Sequence, residues 1–374
     1  MKNPDRRNWL VLAAELSGYT YDLFETVSTL GGVDVRLLCS PLVPQSSFQH
    51  EQAKRSSGSC LWWETAGWSE IANFVRDPPP DAIFVYGNRP RLKMAYALVL
   101  APRSVPTFYA ADTNIAALHP AGWKTYARRF ASIQVAMRAK AALSLGGSNR
   151  QALQALGFPR IIDLPVYAVD FDALDLGAKR GSEQSEAHTG RLNLLIIARL
   201  VPEKNLPAFV SALAADPVLR KRVRLTIAGE GPDRPALESL KRRAPDLRVD
   251  LLGAVPRANI GSLFTLADAL LLPSRFEPWG IVVVESLGMG LPVIASPVVG
   301  AAASLADATQ AVVLARSADP QDMLAAIQTF LSRQPEFSSC AGAAMPDIRS
   351  RYGRQAVAQA HLELVYPMSR RTSS

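Results

Sequence analysis

The chain contains few of the residues that build metal or redox sites. Among its 374 residues are only three cysteines and four histidines. Cys39, Cys60 and Cys340 are scattered without metal or redox spacing, which is typical of proteins in a reducing cytoplasm. The histidines show no paired metal-ligand spacing either. We therefore expect a cytoplasmic protein without thiolate or imidazole metal ligands.

Long hydrophobic runs and two familiar nucleotide-binding signatures are also missing. No apolar run reaches the about 18 residues that a membrane-spanning helix requires. The short run at 9–14 ends at Glu15, which favours a strand over the core of a signal peptide. The sequence has neither G-x-G-x-x-G with a downstream acidic residue nor G-x-x-x-x-G-K-[ST]. These absences disfavour a dehydrogenase or a P-loop enzyme.

The charge balance favours an anionic partner. The sequence has 41 basic and 33 acidic residues, a net charge of +8. A nucleotide sugar, a lipid pyrophosphate, an anionic membrane surface and a nucleic acid all fit this charge. Two groups of basic residues stand out, and solvated helix faces are the favoured explanation for both: Lys124, Arg128, Arg129, Arg138 and Lys140, and Arg220, Lys221, Arg222, Arg224, Lys241, Arg242 and Arg243. Since aromatic residues do not interleave with them, we expect no nucleic-acid binding.

Strand and helix signals alternate as in a doubly wound α/β protein. In the first half, strands are expected at 9–14, 33–38, 82–86, 107–110 and 141–145. With 48% apolar residues the chain can bury two cores, and the polar segment 177–190 has the composition of a linker. We therefore expect a first domain at 1–168, a linker at 169–190 and a second domain at 191–354.

The segment 41–80 is less regular than its surroundings. It contains Trp62, Trp63 and Trp68 and ends in three prolines. Such an insertion could shape a groove for an acceptor, and aromatic packing beneath a loop is the alternative.

Two carboxylates mark a candidate site at 273–296. Glu277 and Glu285 lie eight positions apart, after an apolar run that ends at Leu272. Gly280 opens an apolar helix whose first N–H groups have no partner within the helix. Carboxylates beside such donors suit a polyhydroxylated, phosphorylated ligand. The alternative is an ordinary cluster that caps a helix.

Two cations lie upstream, after a predicted buried strand at 192–198. Arg199 and Lys204 follow this strand at its carboxyl end, the edge where ligands bind in open α/β sheets. Arginine as a planar fork and lysine as a point charge can together neutralise a diphosphate. A solvated basic turn is the alternative.

Glycines follow two further predicted strands. Gly229 and Gly231 come after the strand that begins at Val223, and Gly253 after the one that begins at Val249. Glycine at a strand end permits close backbone approach or a positive φ. A plain turn between strand and helix also needs glycine, so these positions are informative only with the others.

Together these segments closely resemble the retaining glycosyltransferases of the GT-B fold, family 4 (glycosyl transferases group 1), whose signature is E-x7-E within EPWG-like text. The resemblance implies two Rossmann-like domains with an interdomain cleft, and a C-terminal helix at 355–374 that packs back on the first domain. It implies that Arg199 and Lys204 grip a nucleoside diphosphate, and that Glu277 orients the sugar while Glu285 holds the ribose diol. The remaining donor-binding positions that it implies are Gly18, Gly229, Gly231, Gly253, Val255, Arg257, Pro278, Trp279, Gly280, Ile281 and Val282.

The first domain resembles the family less specifically. Gly18 matches the glycine that lets a loop approach the phosphates, although the fuller glycine motif is missing. The segment 112–114 is similar to a D-S-N variant, so Asp112 could contact a sugar or could cap the next helix. The segment 165–170 is similar to the landmark P-x-x-V-D at the end of the first domain.

Asp170 and Asp172 spell the D-x-D with which other glycosyltransferases hold a divalent cation. Because the pair follows the domain landmark instead of the nucleotide site, we expect no metal.

The sequence thus predicts a metal-independent, retaining glycosyltransferase with no cofactor beyond its nucleotide-sugar substrate. Glycans, lipid-linked glycans and small molecules remain open as acceptors, with cell-surface polysaccharide synthesis favoured. The enzyme would be cytoplasmic, with peripheral association at the inner face of the membrane left open. A related phosphorylase or epimerase and a non-catalytic nucleotide-sugar-binding protein are the alternatives. The sugar, the base and the linkage are not specified.

Overall fold

The structure, a computed structural model, describes residues 7–14, 17–40, 60–87, 92–113, 135–182 and 190–367. The chain forms two compact units, Met1–Ala168 with Arg351–Ser374, and Val169–Ser350. Each unit contains one parallel β-sheet flanked by helices, which confirms the expected doubly wound α/β class.

The first unit has a seven-stranded parallel sheet with the order β3-β2-β1-β4-β5-β6-β7. Its strands are β1 Asn8–Ala13, β2 Asp34–Cys39, β3 Cys60–Trp62, β4 Ala82–Tyr86, β5 Thr107–Ala110, β6 Ala141–Ser144 and β7 Ile161–Asp163. The helices described in this unit are α1 Gly18–Gly31, α2 Trp68–Arg76, α3 Leu92–Leu100, α4 Gly147–Ala155 and, near the carboxyl end of the chain, α14 Arg354–Val365. The central strands are continuous apolar runs because helices cover both faces of a parallel sheet.

Helix α14 packs against α1 in the first unit. Its His361 is fully buried beside the rings of Phe24 and Phe84, and Nδ1 lies 2.8 Å from the carbonyl oxygen of Val357. Burial lowers the pKa of His361 to about 4, because the charged imidazolium would lose its hydration. The neutral imidazole is therefore part of the core that joins the end of the chain to its first strands.

The irregular segment 41–80 contributes β3 and α2, while 41–59 lies outside the described residues. Trp63 is 1% exposed, and its Nε1 donates to the carbonyl oxygen of Ala13 at 2.8 Å. Trp68 is half exposed and packs edge-on against Tyr96. Trp63 is thus a core residue, as the packing alternative predicts.

Two of the three cysteines, which are far apart in the sequence, are neighbours in the fold. Cys39 ends β2 and Cys60 begins the neighbouring β3, so the sheet brings their Sγ atoms to 3.7 Å. Their separation along the chain concealed this contact.

The second unit has a six-stranded parallel sheet with the order β10-β9-β8-β11-β12-β13. Its strands are β8 Leu192–Ile197, β9 Val223–Ala228, β10 Arg248–Gly253, β11 Ala269–Leu272, β12 Val293–Ala295 and β13 Val312–Leu314. Its helices are α5 Phe171–Ser182, α6 Leu206–Ala215, α7 Leu219–Arg222, α8 Arg234–Arg243, α9 Arg257–Thr265, α10 Ile281–Gly288, α11 Gly300–Thr309, α12 Pro320–Ser332 and α13 Gln334–Tyr352. The core lies between the sheet and its helices, with Leu194, Phe209 and Leu225 fully buried.

The structure differs from the expected linker, because α5 covers 171–182 and only 183–189 lie outside the described residues. Helix α5 packs closely on α9. A Cβ at Gly177 would lie 2.7 Å from the carbonyl oxygen of Ala258, and one at Gly261 would lie 1.9 Å from that of Leu174. The glycines that suggested a flexible segment instead let two helix backbones touch.

The D-x-D pair lies at the start of α5. Asp170 Oδ1 accepts a hydrogen bond from the backbone N–H of Ala173 at 3.1 Å, and Asp172 is in the first turn. Acidic side chains at a helix N-terminus satisfy free N–H groups and the helix dipole. The structure therefore places Asp170 as the cap of α5 and Asp172 within its first turn.

Candidate active site

The candidate site lies where the strand order of the second sheet reverses. Strand β8 has β9 on one side and β11 on the other, so the connections after β8 and β11 leave in opposite directions. Such a switch point leaves a crevice at the carboxyl ends of the strands. Arg199 and Lys204 follow β8, and Glu277 follows β11, so all three belong to this edge.

Backbone hydrogen bonds join the two loops. Residues Pro202–Lys204 form a 3₁₀ turn, and the carbonyl oxygen of Glu203 accepts from the N–H groups of Arg275 and Phe276 at 2.8 and 3.2 Å. The turn ends at Asn205, a left-handed residue with φ 59° whose Nδ2 donates to the carbonyl oxygen of Ala318 at 3.0 Å. The position of Lys204 is therefore fixed by hydrogen bonds of the residues on either side of it, Glu203 and Asn205.

Lys204 and Glu277 form a direct ion pair between Nζ and Oε2. Their side chains are only 12% and 17% exposed, so water screens this pair less than a surface pair. The two residues are predicted to contact different parts of a ligand, a phosphate and a sugar, yet here they bind each other. A ligand that enters the crevice must share or replace this contact.

Arg199 is exposed, and its guanidinium has no ion-pair or hydrogen-bond partner among the residues that the structure describes. Lys204 is compensated by Glu277, so Arg199 carries the free positive charge of the two. An exposed guanidinium at a strand end can bind an anion without first breaking a contact.

The loop before α10 is held by the following βα turn. Glu277 makes an isolated parallel bridge with Val299, and the carbonyl oxygen of Trp279 accepts from the N–H of Ala301 at 2.8 Å. A Cβ at Gly300 would lie 2.2 Å from the carbonyl oxygen of Pro278, so only glycine permits this approach. The sequence analysis missed Val299 and Gly300, since neither has a reactive side chain.

Gly280 adopts φ 83° immediately before α10, and a Cβ there would lie 3.1 Å from Cγ of Glu277. Ile281 and Val282 form the first turn, with Val282 buried. Glu285 is 5% exposed and lies one turn further along the helix. The structure thus places a buried carboxylate close to the helix N-terminus, where N–H groups attract negative charge.

Two buried polar groups near Glu277 have no hydrogen-bond partner among the described residues. They are Nε1 of Trp279, which is 3% exposed, and Oγ of Ser274, which is 1% exposed. Such groups are rare in folded proteins and are usually satisfied by a ligand or a water molecule. The 274–279 loop therefore contains buried polar groups that hydrogen bonds within the described protein do not satisfy.

Gly229 and Gly231 are required by backbone packing. They have φ 150° and 154°, and a Cβ at each would lie 1.8 Å from the carbonyl oxygen of Ala198 and 2.3 Å from that of Leu200. The N–H of Leu200 donates to the carbonyl oxygen of Glu230 at 2.8 Å. The two glycines thus bring the β9 turn against the loop that carries Arg199.

The segment after β10 completes this edge. Gly253 has φ 74°, and its carbonyl oxygen accepts from the N–H of Gly229 at 2.7 Å. Val255 and Arg257 are half-buried, and Arg257 begins α9. The structure therefore connects the predicted base-binding segment to the Gly229 turn by a hydrogen bond.

Asp233 is a residue that the sequence analysis missed. It precedes α8, its N–H donates to the carbonyl oxygen of Leu200 at 3.0 Å, and its Oδ2 is buried without a partner among the described residues. Burial, and then the charge of Glu203, raise the pKa of the Asp233 carboxyl. Its place after a glycine turn and before a helix is the sequence signal that could have found it.

The predicted residues of the first unit also follow strand ends. Gly18 begins α1 after the N-cap Ser17, whose Oγ accepts from the N–H of Thr20 at 3.1 Å, while 15–16 lie outside the described residues. Asp112 follows β5 and is half-buried, whereas Asn114 is not described.

The segment around Asp112 is held by Asn149, which the sequence analysis missed. Nδ2 of Asn149 donates to the carbonyl oxygens of Ala111 and Thr113 at 2.7 and 2.6 Å. Asn149 is 3% exposed, and its Oδ1 accepts from the N–H of Leu145 at 2.9 Å. One buried amide therefore ties the end of β5 to the end of β6.

Two of the basic residues of the second unit have acidic partners. Arg224 binds Asp250 at 2.7 Å, and Arg220 lies 3.9 Å from Asp246. The residues 241–243 lie in the last turn of α8, where cations offset the helix dipole. In the other group, Lys124, Arg128 and Arg129 lie outside the described residues.

Comparison with known proteins finds a family match within the second unit. Residues 179–345 match the model of the family described as glycosyl transferases group 1. Alpha-D-kanosaminyltransferase of Streptomyces kanamyceticus is 33% identical over 122 residues, 32% of each chain. D-inositol 3-phosphate glycosyltransferase of Geodermatophilus obscurus is 33% identical over 156 residues, 39% of this chain and 34% of that protein. The chain thus spans about a third of the length of these curated relatives.

A solved structure extends the likeness to the whole fold. Anabaena HepE in complex with UDP matches with a TM-score of 0.74 at 16% identity, covering 97% of this chain and 100% of that chain. This confirms that the two sheets are those of the GT-B fold.

Proposed function

We propose that the chain is a glycosyltransferase that uses a nucleoside-diphosphate sugar, because residues 179–345 match the model of the glycosyl transferases group 1 family. The observation that supports this best is the meeting of Arg199, Lys204 and Glu277 at the switch point of the second sheet. This arrangement combines two cations for a diphosphate with a carboxylate for sugar hydroxyls.

In this proposal Arg199 captures the diphosphate first, and Lys204 joins it as its contact with Glu277 loosens. Negative charge builds on the diphosphate when the sugar leaves. Preorganised cations and the N–H groups at the start of α10 stabilise that charge, which is electrostatic catalysis. The two side chains supply the positive charge that a metal ion supplies in other enzymes, so transfer should persist in the presence of a chelator.

Glu277, released from Lys204, orients the sugar through its hydroxyl groups. Glu285 holds the ribose diol, and the segment from Gly253 through Val255 to Arg257 borders the base. The sugar becomes oxocarbenium-like as its bond to the diphosphate lengthens. We propose retention of the anomeric configuration from the resemblance to family 4, and NMR of the product can determine it.

The acceptor in this proposal is a glycan or a lipid-linked glycan of a cell-surface polysaccharide, recognised by the first unit near Asp112. A surface in that unit is compatible with an anionic membrane. Val99 and Met137 are 80% and 79% exposed, and Arg103 and Lys140 are exposed nearby in sequence. Each well-placed basic residue contributes about 1 kcal/mol to binding at an anionic surface.

Among the described residues, no helix is both long and apolar enough to cross a membrane. Peripheral membrane association remains part of the proposal and rests on the exposed apolar and basic residues of the first unit. Sedimentation with anionic and with zwitterionic vesicles, at low and high salt, tests it. Absence of binding to anionic vesicles at low salt would remove the membrane from the proposal and leave the transferase intact.

The central experiment measures binding and turnover separately. Calorimetry with a panel of nucleoside diphosphates and nucleotide sugars identifies the donor, since bound ligand stabilises the folded protein. Glu285→Gln should weaken binding of the bare nucleotide, which contains the ribose diol. Glu277→Gln should spare the bare nucleotide and impair sugar transfer.

Arg243→Ala is the matched control, because Arg243 is an exposed cation of the same unit at the end of α8. It should change neither binding nor turnover. Equal loss of nucleotide affinity in both glutamate variants would refute the division of roles. Binding without products on any acceptor would show a non-catalytic nucleotide-sugar protein, and phosphate-dependent cleavage would show a phosphorylase.

A further inference from the structure

The sheet of the first unit brings two cysteines into contact. Cys39 is the last residue of β2 and Cys60 the first of β3, which is the edge strand. Their Sγ atoms lie 3.7 Å apart, although the residues are 21 positions apart in the chain. The contact is therefore set by the fold and not by a local Cys-x-x-Cys turn.

The two thiols have different environments. Cys39 is fully buried, and the Cys60 thiolate as its hydrogen-bond partner, together with burial, raises the pKa of Cys39. Cys60 is half-buried, and the hydrogen bond that it accepts from Cys39 lowers its pKa. Since the thiolate is the nucleophile in thiol chemistry, Cys60 is the group that reacts first.

We propose that Cys39 and Cys60 form a reversible disulfide when the protein meets an oxidised low-molecular-weight thiol. The Cys60 thiolate attacks one sulfur of that disulfide, forms a mixed disulfide and releases one thiolate. Cys39 then loses its proton and attacks the Cys60 sulfur, which releases the second thiolate. Two protein thiols and one small disulfide thus become one protein disulfide and two small thiols, with two electrons passed to the oxidant.

The strand register makes this bond easy to reduce again. Cys60 lies opposite Leu37 and Cys39 opposite Trp62, so the cysteines are diagonal neighbours. Ideal strands place such positions about 4.8 Å apart across the sheet and about 6.6 Å along it. That exceeds the Cα separation of about 5.5–6 Å that disulfides prefer. Closing the bond must move the edge strand, and strained disulfides have more oxidising potentials.

The movement would reach the carboxyl end of β1. The carbonyl oxygen of Cys39 accepts from the N–H of Trp63 at 3.0 Å, and Trp63 Nε1 donates to the carbonyl oxygen of Ala13. The adjacent Ser40 donates from Oγ to the carbonyl oxygen of Ala14 at 2.6 Å. Hydrogen bonds therefore connect the residue after β2 and the residue after β3 to the carboxyl end of β1, the strand that leads into α1.

Peptide mapping by mass spectrometry after incubation with millimolar glutathione disulfide tests the proposal on the wild-type protein. We expect a Cys39–Cys60 cross-linked peptide with the loss of two hydrogens, and its disappearance on treatment with dithiothreitol. Cys340→Ser should give the same cross-link, because Cys340 lies in α13 of the other unit. Cys39→Ser should stop at a mixed disulfide on Cys60.

Two results would overturn the proposal. The first is that, after equilibration, Cys39 and Cys60 of the wild-type protein are recovered as free thiols or as separate glutathione adducts. The second is a cross-link between molecules in place of the intramolecular one. Since no measurement depends on sugar transfer, the outcome is independent of the transferase assignment.

Discussion

At the scale of single residues, the pairing of Lys204 with Glu277 changes what a mutation should do. Each cation on its own would contribute about 1.5–3 kcal/mol through a charge-assisted contact with a phosphate. Removing Lys204 also leaves the Glu277 carboxylate without its partner, beside the position proposed for the phosphates. The two residues should therefore behave as a coupled pair.

We predict that Arg199→Ala and Lys204→Ala each lower the affinity for the nucleoside diphosphate at least tenfold. The double variant Lys204→Ala/Glu277→Gln should bind it more tightly than Lys204→Ala alone, because the repelling carboxylate is gone. A double-mutant cycle measured by calorimetry gives the coupling energy. Strict additivity of the two substitutions would show that Glu277 lies too far from the phosphates to affect them.

Residue chemistry at the site could be predicted from the sequence, but the contacts could not. The types and order of Arg199, Lys204, Glu277 and Glu285 indicate a phosphate and a hydroxyl ligand without any structure. Asn149 and Asp233 were missed because a lone amide or carboxylate in a turn is ordinary in sequence. Only burial and unsatisfied hydrogen bonding distinguish them, and both are properties of the folded chain.

At the scale of elements, long central strands could be predicted and short edge strands could not. The runs that became β1, β4 and β8 are continuous and apolar, as burial on both faces requires. Strands β3, β7 and β13 have three residues each, too few to show the hydrophobic pattern that identifies a strand in a sequence. Helix α5 was predicted to be a linker from its glycine and polar residues. Such residues occur both in flexible segments and in closely packed helices, so composition alone does not distinguish the two.

The glycine turn after β9 is an element whose role can be tested. We predict that Gly229→Ala and Gly231→Ala each destabilise the protein by about 2 kcal/mol or more, since the new Cβ would collide with a backbone carbonyl. Diphosphate affinity should fall as well, because the same collision displaces the loop that carries Arg199. Denaturant unfolding and calorimetry measure the two effects.

Gly342→Ala is the control for these substitutions. Gly342 lies in α13 of the same unit, is exposed, and would place its Cβ in open space. Alanine should therefore stabilise the helix by up to about 1 kcal/mol. Stability losses in all three variants alike would mean that the turn is not specially constrained.

At the scale of the whole molecule, stability should depend on pH through the helix near the carboxyl end of the chain. His361 in α14 is buried as the neutral imidazole, and burial lowers its pKa to about 4 from the ordinary value of 6.5. Above pH 6.5 neither the folded nor the unfolded state binds this proton, so the residue has no effect on pH dependence there. Between pH 6.5 and about 4 the unfolded state binds more protons, so stability falls as the pH falls.

The difference between the two pKa values sets the size of the effect. We predict that the wild-type protein loses about 3 kcal/mol of unfolding free energy from this one group between pH 6.5 and 4. His361→Gln should start from a lower stability at pH 7 but lack this part of the slope, since glutamine does not titrate. Urea unfolding at a series of pH values, followed by tryptophan fluorescence, compares the two proteins. The other titratable groups are the same in the wild-type protein and in His361→Gln. If the unfolding free energies of the two proteins changed with pH in parallel, the imidazole would have to gain its proton without leaving the core.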